Sequence, residues 1–129
     1  MSRTAVKGEG IPKPVGPYSP AIKTEDYVFC SGQIGLSPAT GKLGTTIEEQ
    51  TTQALLNLQS VLKAAGAFLS NAVKTTVFMA DMSEFSRMNG EYAKFFPKDP
   101  PARSTIGATL PFGVKVEIEL VARVGPRQS

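Results

Sequence analysis

The chain has 129 residues, 41% of them apolar and 19% charged, which fits one domain that buries roughly two-thirds of its unfolded surface and argues against intrinsic disorder. Its net charge of +3 comes from 14 basic and 11 acidic residues without any dense run, so the electrostatic footprint of a nucleic-acid-binding protein is missing. Histidine is absent, which excludes Ser-His and Cys-His dyads, His-ligated zinc and the usual base near neutral pH.

Residues 1–129 read as a single domain, with residues 1–13 as an irregular N-terminal arm. Gly8, Gly10, Pro12, Pro14, Gly16 and Pro17 keep the first segment extended, and Tyr18 follows on a rigid Gly-Pro step. The first seven residues contain no apolar stretch of signal-peptide length. A cytoplasmic location is expected, and the short basic start leaves mitochondrial import open. A short strand around Ala21 to Thr24 precedes a turn at Glu25-Asp26. Tyr27 to Ile34 is aromatic and β-branched and reads as a mostly buried strand, with Gly32 suggesting a bulge or a close backbone approach. Gly35 to Gly44 form a loop. Thr46 and Glu49 make a capping box for a helix whose apolar residues Ile47, Ala54, Leu55, Leu58, Val61, Leu62 and Ala65 form one stripe. Gly66 supplies its C-terminal cap.

Val73 to Met79 reads as the next strand, completing a strand-helix-strand crossover. A second helix begins near Ser83, carries Phe85, Met88, Tyr92 and Phe95 on one side, and ends at Pro97 and Pro100. Two strands close the chain around the turn Leu110-Pro111-Phe112-Gly113, and residues 125–129 are expected to fray. The order β-β-α-β-α-β-β predicts a two-layer α+β domain, with two helices on one face of a mixed sheet. In the last strand Val114, Val116, Ile118, Leu120 and Ala122 suit the core, while Lys115, Glu117, Glu119, Val121 and Arg123 form a mixed opposite face. A half-apolar open face suits a subunit interface, so a homo-oligomer is predicted.

Candidate chemistry concentrates near the C-terminus. Arg103 sits two residues after Pro101 at the start of a strand, and a guanidinium binds a carboxylate in a bidentate fork. Glu117 points away from the core and is the leading group to position or deprotonate water. Pattern alone favours a structural salt bridge from Arg103 to Glu117 or Glu119. Glu119, about 6–7 Å along the strand, reads as a solvated surface carboxylate. Tyr18, Ser31 and Gly32 offer a hydroxyl, a second hydroxyl and a bare amide, or else ordinary packing and a bulge. Asn89 lies off the apolar stripe of the second helix and reads equally as a surface residue. Cys30, the one cysteine, permits neither an internal disulfide nor a CxxC metal pair and fits an inert buried thiol. No phosphate-cradling glycine motif and no metal-ligand cluster occurs.

Pro101-Ala102-Arg103-Ser104, the Leu110-Pro111 turn and Val116-Glu117-Ile118-Glu119 together resemble the C-terminal signature of the Rid family, also called YjgF or L-PSP. Gly16-Pro17-Tyr18, Ser31-Gly32-Gln33-Ile34, Ala64-Ala65-Gly66, Val73 to Phe78, and Asn89 with Tyr92 and Phe95-Phe96 follow in the family's order. The resemblance runs from about residue 14 to 123 and is strongest to the reactive intermediate deaminase A branch. It implies a chorismate-mutase-like α+β fold and a homotrimeric barrel with sites between subunits. It further implies cofactor-free hydrolysis of reactive 2-imino acids, such as 2-iminopropanoate and 2-iminobutanoate, to 2-oxo acids and ammonia. By position, Arg103 would bind the substrate carboxylate and Glu117 would activate water. Tyr18, Ser31, Gly32, Asn89 and Thr105 would line the site. Thr105 stands where this branch often carries cysteine, which bears on substrate range, and the segment from Phe96 to Pro101 is shorter than in some relatives. Two other readings remain: an endoribonuclease or translation inhibitor of the L-PSP type, and a non-catalytic 2-oxo-acid-binding or chaperone-like trimer. Neither a membrane nor a metal enters any of them.

Overall fold

Alternating apolar residues build the strands and two apolar stripes build the helices in the computed structural model, which describes residues 2–126. In chain order the elements are β1 (Thr4–Ala5), β2 (Ala21–Lys23), β3 (Tyr27–Ile34), α1 (Ile47–Ala64), β4 (Ala72–Met79), α2 (Phe85–Phe95), β5 (Ala102–Gly107) and β6 (Val116–Arg123). The six strands form one sheet in the order β1-β2-β3-β6-β4-β5. Among the described strands only β4 and β5 pair in parallel. β6 is antiparallel to both β3 and β4, so those two strands run the same way and α1 forms the expected crossover between them. This is the predicted α+β fold, a mixed sheet with two helices on one face.

Local chemistry fixes the ends of α1. The Glu49 amide donates to Thr46 Oγ1 at 3.1 Å and the Thr46 amide donates to Glu49 Oε1 at 3.1 Å, the reciprocal capping box. At the other end Gly66 takes φ +77°. The Ala67 amide reaches the Leu62 carbonyl and the Gly66 amide reaches that of Lys63, a Schellman motif that needs the left-handed residue glycine supplies. The stripe between these caps buries Ile47, Ala54, Leu55, Leu58, Val61 and Leu62 completely. They meet Val28 and Cys30 of β3, Val77 and Met79 of β4, and Val116, Ile118, Leu120 and Ala122 of β6. Met88 and Tyr92 add the contribution of α2.

Three expectations need correction. Part of the supposedly irregular arm is a strand: β1 pairs with β2, and Val6 buries beside it. The β3 strand is half-buried, because Tyr27 and Phe29 project from the open face while Val28 and Cys30 enter the core. The C-terminal segment is tied down at its start. Asn71 Nδ2 donates to the carbonyls of Gly125 at 3.2 Å and Pro126 at 3.0 Å, and residues 127–129 lie outside the described residues.

Candidate functional site

Glu117 stands on β6 with its carboxylate on the face opposite the helices, between the buried Val116 and Ile118. Its register partners are Ile34 on β3 and Phe78 on β4. The bulge between Cys30 and Gln33 brings Gly32 directly against it. A Cβ built at Gly32 would lie 2.9 Å from both Cγ and Cδ of Glu117, so the strand carries glycine where the carboxylate passes. A cavity of about 720 Å³ opens here, lined by Glu117, Glu119, Tyr18, Ser31, Gly32, Ile34, Leu36, Leu43, Asn57 and Phe112, among others. Partial burial raises the Glu117 pKa above the ordinary carboxylate value, and the neighbouring charge of Glu119 adds to the rise. Neither carboxylate has a basic partner within salt-bridge distance among the described residues. A carboxylate held this way is a better proton acceptor than an exposed one.

The N-terminal arm forms one wall. Ser31 Oγ donates to the Ser19 carbonyl at 2.6 Å and the Ser31 amide donates to that of Pro20 at 3.0 Å, which fastens the segment carrying Tyr18. Tyr18 itself curls back, its hydroxyl accepting from the Val15 amide at 3.2 Å. The opposite rim is Phe112, which is 70% exposed and held at φ +61° beside Gly113 at φ +65°. A bulky residue in the left-handed region is costly, and here it displays the ring at the cavity mouth.

Arg103, Thr105 and Asn89 lie elsewhere. In β5, Arg103 pairs with Thr75, which in turn pairs with Leu120. Both partners face the helices, and so does Arg103. Its guanidinium carbon lies 4.8 Å from the Tyr92 ring centroid and 5.7 Å from that of Phe85, both on α2. Asn89, read from the sequence as off the apolar stripe and equally a surface residue, lies instead one turn from each of those rings at the edge of that helix face, and its buried Oδ1 has no hydrogen-bond partner. Thr105 Oγ1 is likewise buried and unpartnered. Arg103 makes no ion pair with any carboxylate among the described residues.

Within one chain, then, the predicted residues form two groups. Tyr18, Ser31, Gly32 and Glu117 gather on the open face of the sheet. Arg103, Thr105 and Asn89 gather at its β5 edge, on the helix side. The salt bridge between Arg103 and Glu117 or Glu119 does not form, because the sheet stands between them. Cys30 is buried, and desolvation pushes its thiol up to about 12, so it stays protonated and unreactive. No group of three or more His, Cys, Asp or Glu residues among those described is placed to hold a metal ion.

Two supporting residues went unread in the sequence. Asn57, 2% exposed on α1, donates from Nδ2 to the carbonyls of Ile34 at 3.0 Å and Leu36 at 2.9 Å, fixing the strand end at the cavity wall. Gln50, equally buried, donates to the Gly44 carbonyl at 2.8 Å and accepts from the Lys115 amide at 2.8 Å. Both interrupt the apolar stripe of α1 at core-facing positions, and that interruption was the available signal.

The fold and this geometry define a two-layer α+β protein with a carboxylate-bearing cavity on the uncovered face of its sheet. The chain belongs to the endoribonuclease L-PSP family, also known as Rid or YjgF, whose model matches residues 9–124. It is 47% identical over 124 residues to the chloroplastic Reactive Intermediate Deaminase A of Arabidopsis thaliana, a match covering 95% of this chain and 66% of that longer relative. The 2-iminobutanoate/2-iminopropanoate deaminase of Mus musculus is 43% identical over 127 residues, covering 96% of this chain and 93% of the relative. Among solved structures, E. coli TdcF with bound serine superposes with a TM-score of 0.90 at 32% identity, covering 95% of this chain and 99% of that one. No helix among the described residues is long and apolar enough to cross a membrane.

Proposed function

We propose that this protein hydrolyses reactive 2-imino acids to 2-oxo acids and ammonia, and that it does so in clefts between the subunits of a homotrimer, the assembly the family resemblance implies. The observation that carries the reading is the Glu117 carboxylate. It is raised in pKa, without a salt-bridge partner among the described residues and set in a cavity, in a chain that matches the 2-iminobutanoate/2-iminopropanoate deaminase of Mus musculus over 93% of that relative's length. Water adds across the C=N bond as Glu117 takes its proton, and the proton passes to nitrogen. The resulting carbinolamine collapses, its hydroxyl proton leaving with the amine as ammonia. A carboxylate with a raised pKa suits both halves of that cycle. An imine is already electrophilic, so placement of substrate and water supplies most of the acceleration required.

Arg103 binds the substrate carboxylate. Its position across the sheet from Glu117 supports a site completed by a second subunit, whose β5 edge brings Arg103, Thr105 and Asn89 to the open face of the first. The apolar residues on that face, Phe29 and Val121 paired across β3 and β6, favour such coverage. The nuclease reading fits less well, because the basic residues form no dense run and no histidine is present, so the footprint of a nucleic-acid-binding protein is missing. A cytoplasmic location is part of this proposal, in keeping with a single buried thiol. The test is ammonia release from freshly generated 2-iminobutanoate. Wild type should exceed the buffer rate clearly and Arg103→Ala should not, while native mass measurement should return three chains. Wild-type hydrolysis at the buffer rate would overturn the proposal.

A further inference from the structure

The described ion pairs leave Arg103 without a carboxylate partner, so something else must fix a long and flexible side chain. What surrounds it is aromatic. Tyr92 lies 4.8 Å and Phe85 5.7 Å from the guanidinium carbon, and these residues are seven positions apart, two turns along one face of α2. Tyr92 is itself held at two points. Its ring packs on Phe96 at 4.8 Å between centroids, and its hydroxyl shares a 2.6 Å hydrogen bond with Thr75 Oγ1 in the buried core. Thr75 is the register partner of Arg103 across β4 and β5. The residue beside the arginine in the sheet therefore fastens the ring that holds the arginine.

We infer that Tyr92, anchored by Thr75 and assisted by Phe85, is a positioning residue that presents Arg103 to a substrate carboxylate. The reason lies in how the alternatives use the guanidinium. A carboxylate neighbour would neutralise the charge and occupy the N–H groups around the edge of the plane. An aromatic ring attracts the cation through its face. Apart from the approach of the Tyr92 hydroxyl, the forked edge stays available to a ligand carboxylate in bidentate geometry. This inference rests on the imine-deaminase reading for its ligand, and on the ring geometry alone for its mechanism.

The experiment compares wild type with Tyr92→Phe, Tyr92→Leu and Phe85→Leu by three readouts: steady-state hydrolysis of 2-iminobutanoate, calorimetric binding of 2-oxobutanoate, and the proton shift of the Arg103 Nε–H. Arg103 grips the carboxylate in ground and transition state alike, so losing the ring should act on KM rather than kcat. Tyr92→Leu is expected to raise KM, and the dissociation constant for 2-oxobutanoate, about tenfold. Its kcat should stay within about threefold, and the Arg103 Nε–H should lose its ring-current shift. Tyr92→Phe keeps the ring and should retain a KM near wild type despite a lower Tm. Phe85→Leu, on a partly exposed ring, should show a smaller rise in KM and carries the test if Tyr92→Leu does not fold. Wild-type KM and oxo-acid affinity in a folded Tyr92→Leu, or in Phe85→Leu where that variant stands in, would overturn the positioning role. Hydrolysis absent in wild type with 2-oxobutanoate still bound would sink the deaminase reading alone, and absence of both would sink the two together.

Discussion

Substituting Gly32 by alanine tests whether the placement of Glu117 matters, without touching Glu117 itself. The new Cβ would stand 2.9 Å from Cγ and Cδ of Glu117, and nearer still to one carboxylate oxygen. Carbon atoms pack at about 3.5–4.0 Å, so the Glu117 side chain must swing away by about 1 Å. Displacement of that size in a reacting group costs about 10²-fold in rate, or about 2.7 kcal/mol of barrier. Stability should hardly register the change. The φ of Gly32 is not positive, so alanine fits the backbone, and the atoms in the way belong to a side chain able to rotate. An off-rotamer side chain costs about 0.5–1.5 kcal/mol, offset by a gain of about 0.4–1 kcal/mol from the stiffer unfolded chain. Gly32→Ala should therefore melt within about 5 °C of wild type while its kcat/KM for 2-iminobutanoate falls about a hundredfold. The assay is initial ammonia release over the buffer rate, run beside a thermal melt of the same sample. A variant with native melting and undiminished kcat/KM would refute the argument that the carboxylate acts from this position. One that fails to fold would refute the claim that the side chain yields and the backbone does not.

Three further outcomes follow from contacts described above. Glu117 must be ionised to accept a proton, so kcat/KM falls as pH drops through its raised pKa, placing the acid limb above the ordinary glutamate value of about 4.3. Glu119→Gln removes the like charge that contributes to the rise and should move that limb to lower pH in a pH–rate profile. The same raised pKa acts on stability in the opposite direction: the folded state holds the Glu117 proton more tightly, so that contribution is full below the unfolded pKa and is lost as pH rises through the folded one. Thr46→Ala removes the acceptor of the Glu49 amide and should cost about 1 kcal/mol, read as a lower urea midpoint with unchanged m-value. Asn57→Leu strips the donor from the carbonyls of Ile34 and Leu36 and should cost about 1–3 kcal/mol. It should also raise hydrogen-exchange rates at the end of β3.

What the sequence disclosed depended on how local the cause was. The ends of α1 were legible because Thr46, Glu49 and Gly66 act within a few residues of themselves. The bulge at Gly32 was legible as well, since a glycine within an aromatic and β-branched strand has few other uses. Strand order was not legible: the insertion of β6 between β3 and β4 is a pairing of segments far apart in the chain, and no local pattern records it. The same limit hid the placement of Arg103. Ala102 to Gly107 has no apolar alternation to say which side faces the helices, whereas Glu117 is flanked by Val116 and Ile118 and declares its face at once. Asn57 and Gln50 leave one local trace, as polar residues inside an apolar stripe, while the Ile34 and Leu36 carbonyls and the Lys115 amide that they bind lie distant in sequence.

If the proposed trimer holds, the separation of Arg103 from Glu117 by the thickness of the sheet would make each chain a donor of one half-site and an acceptor of another. On the trimeric reading, a ring of identical interfaces pairs the arginine of each subunit with the glutamate of the next. Two inactive variants, one lacking Arg103 and one lacking Glu117, would then be able to rescue each other on subunit exchange. In an equal random mixture about one site in four would draw its arginine and its glutamate from chains that still have them. Activity recovered from two dead preparations would be the signature of a site that no single chain owns.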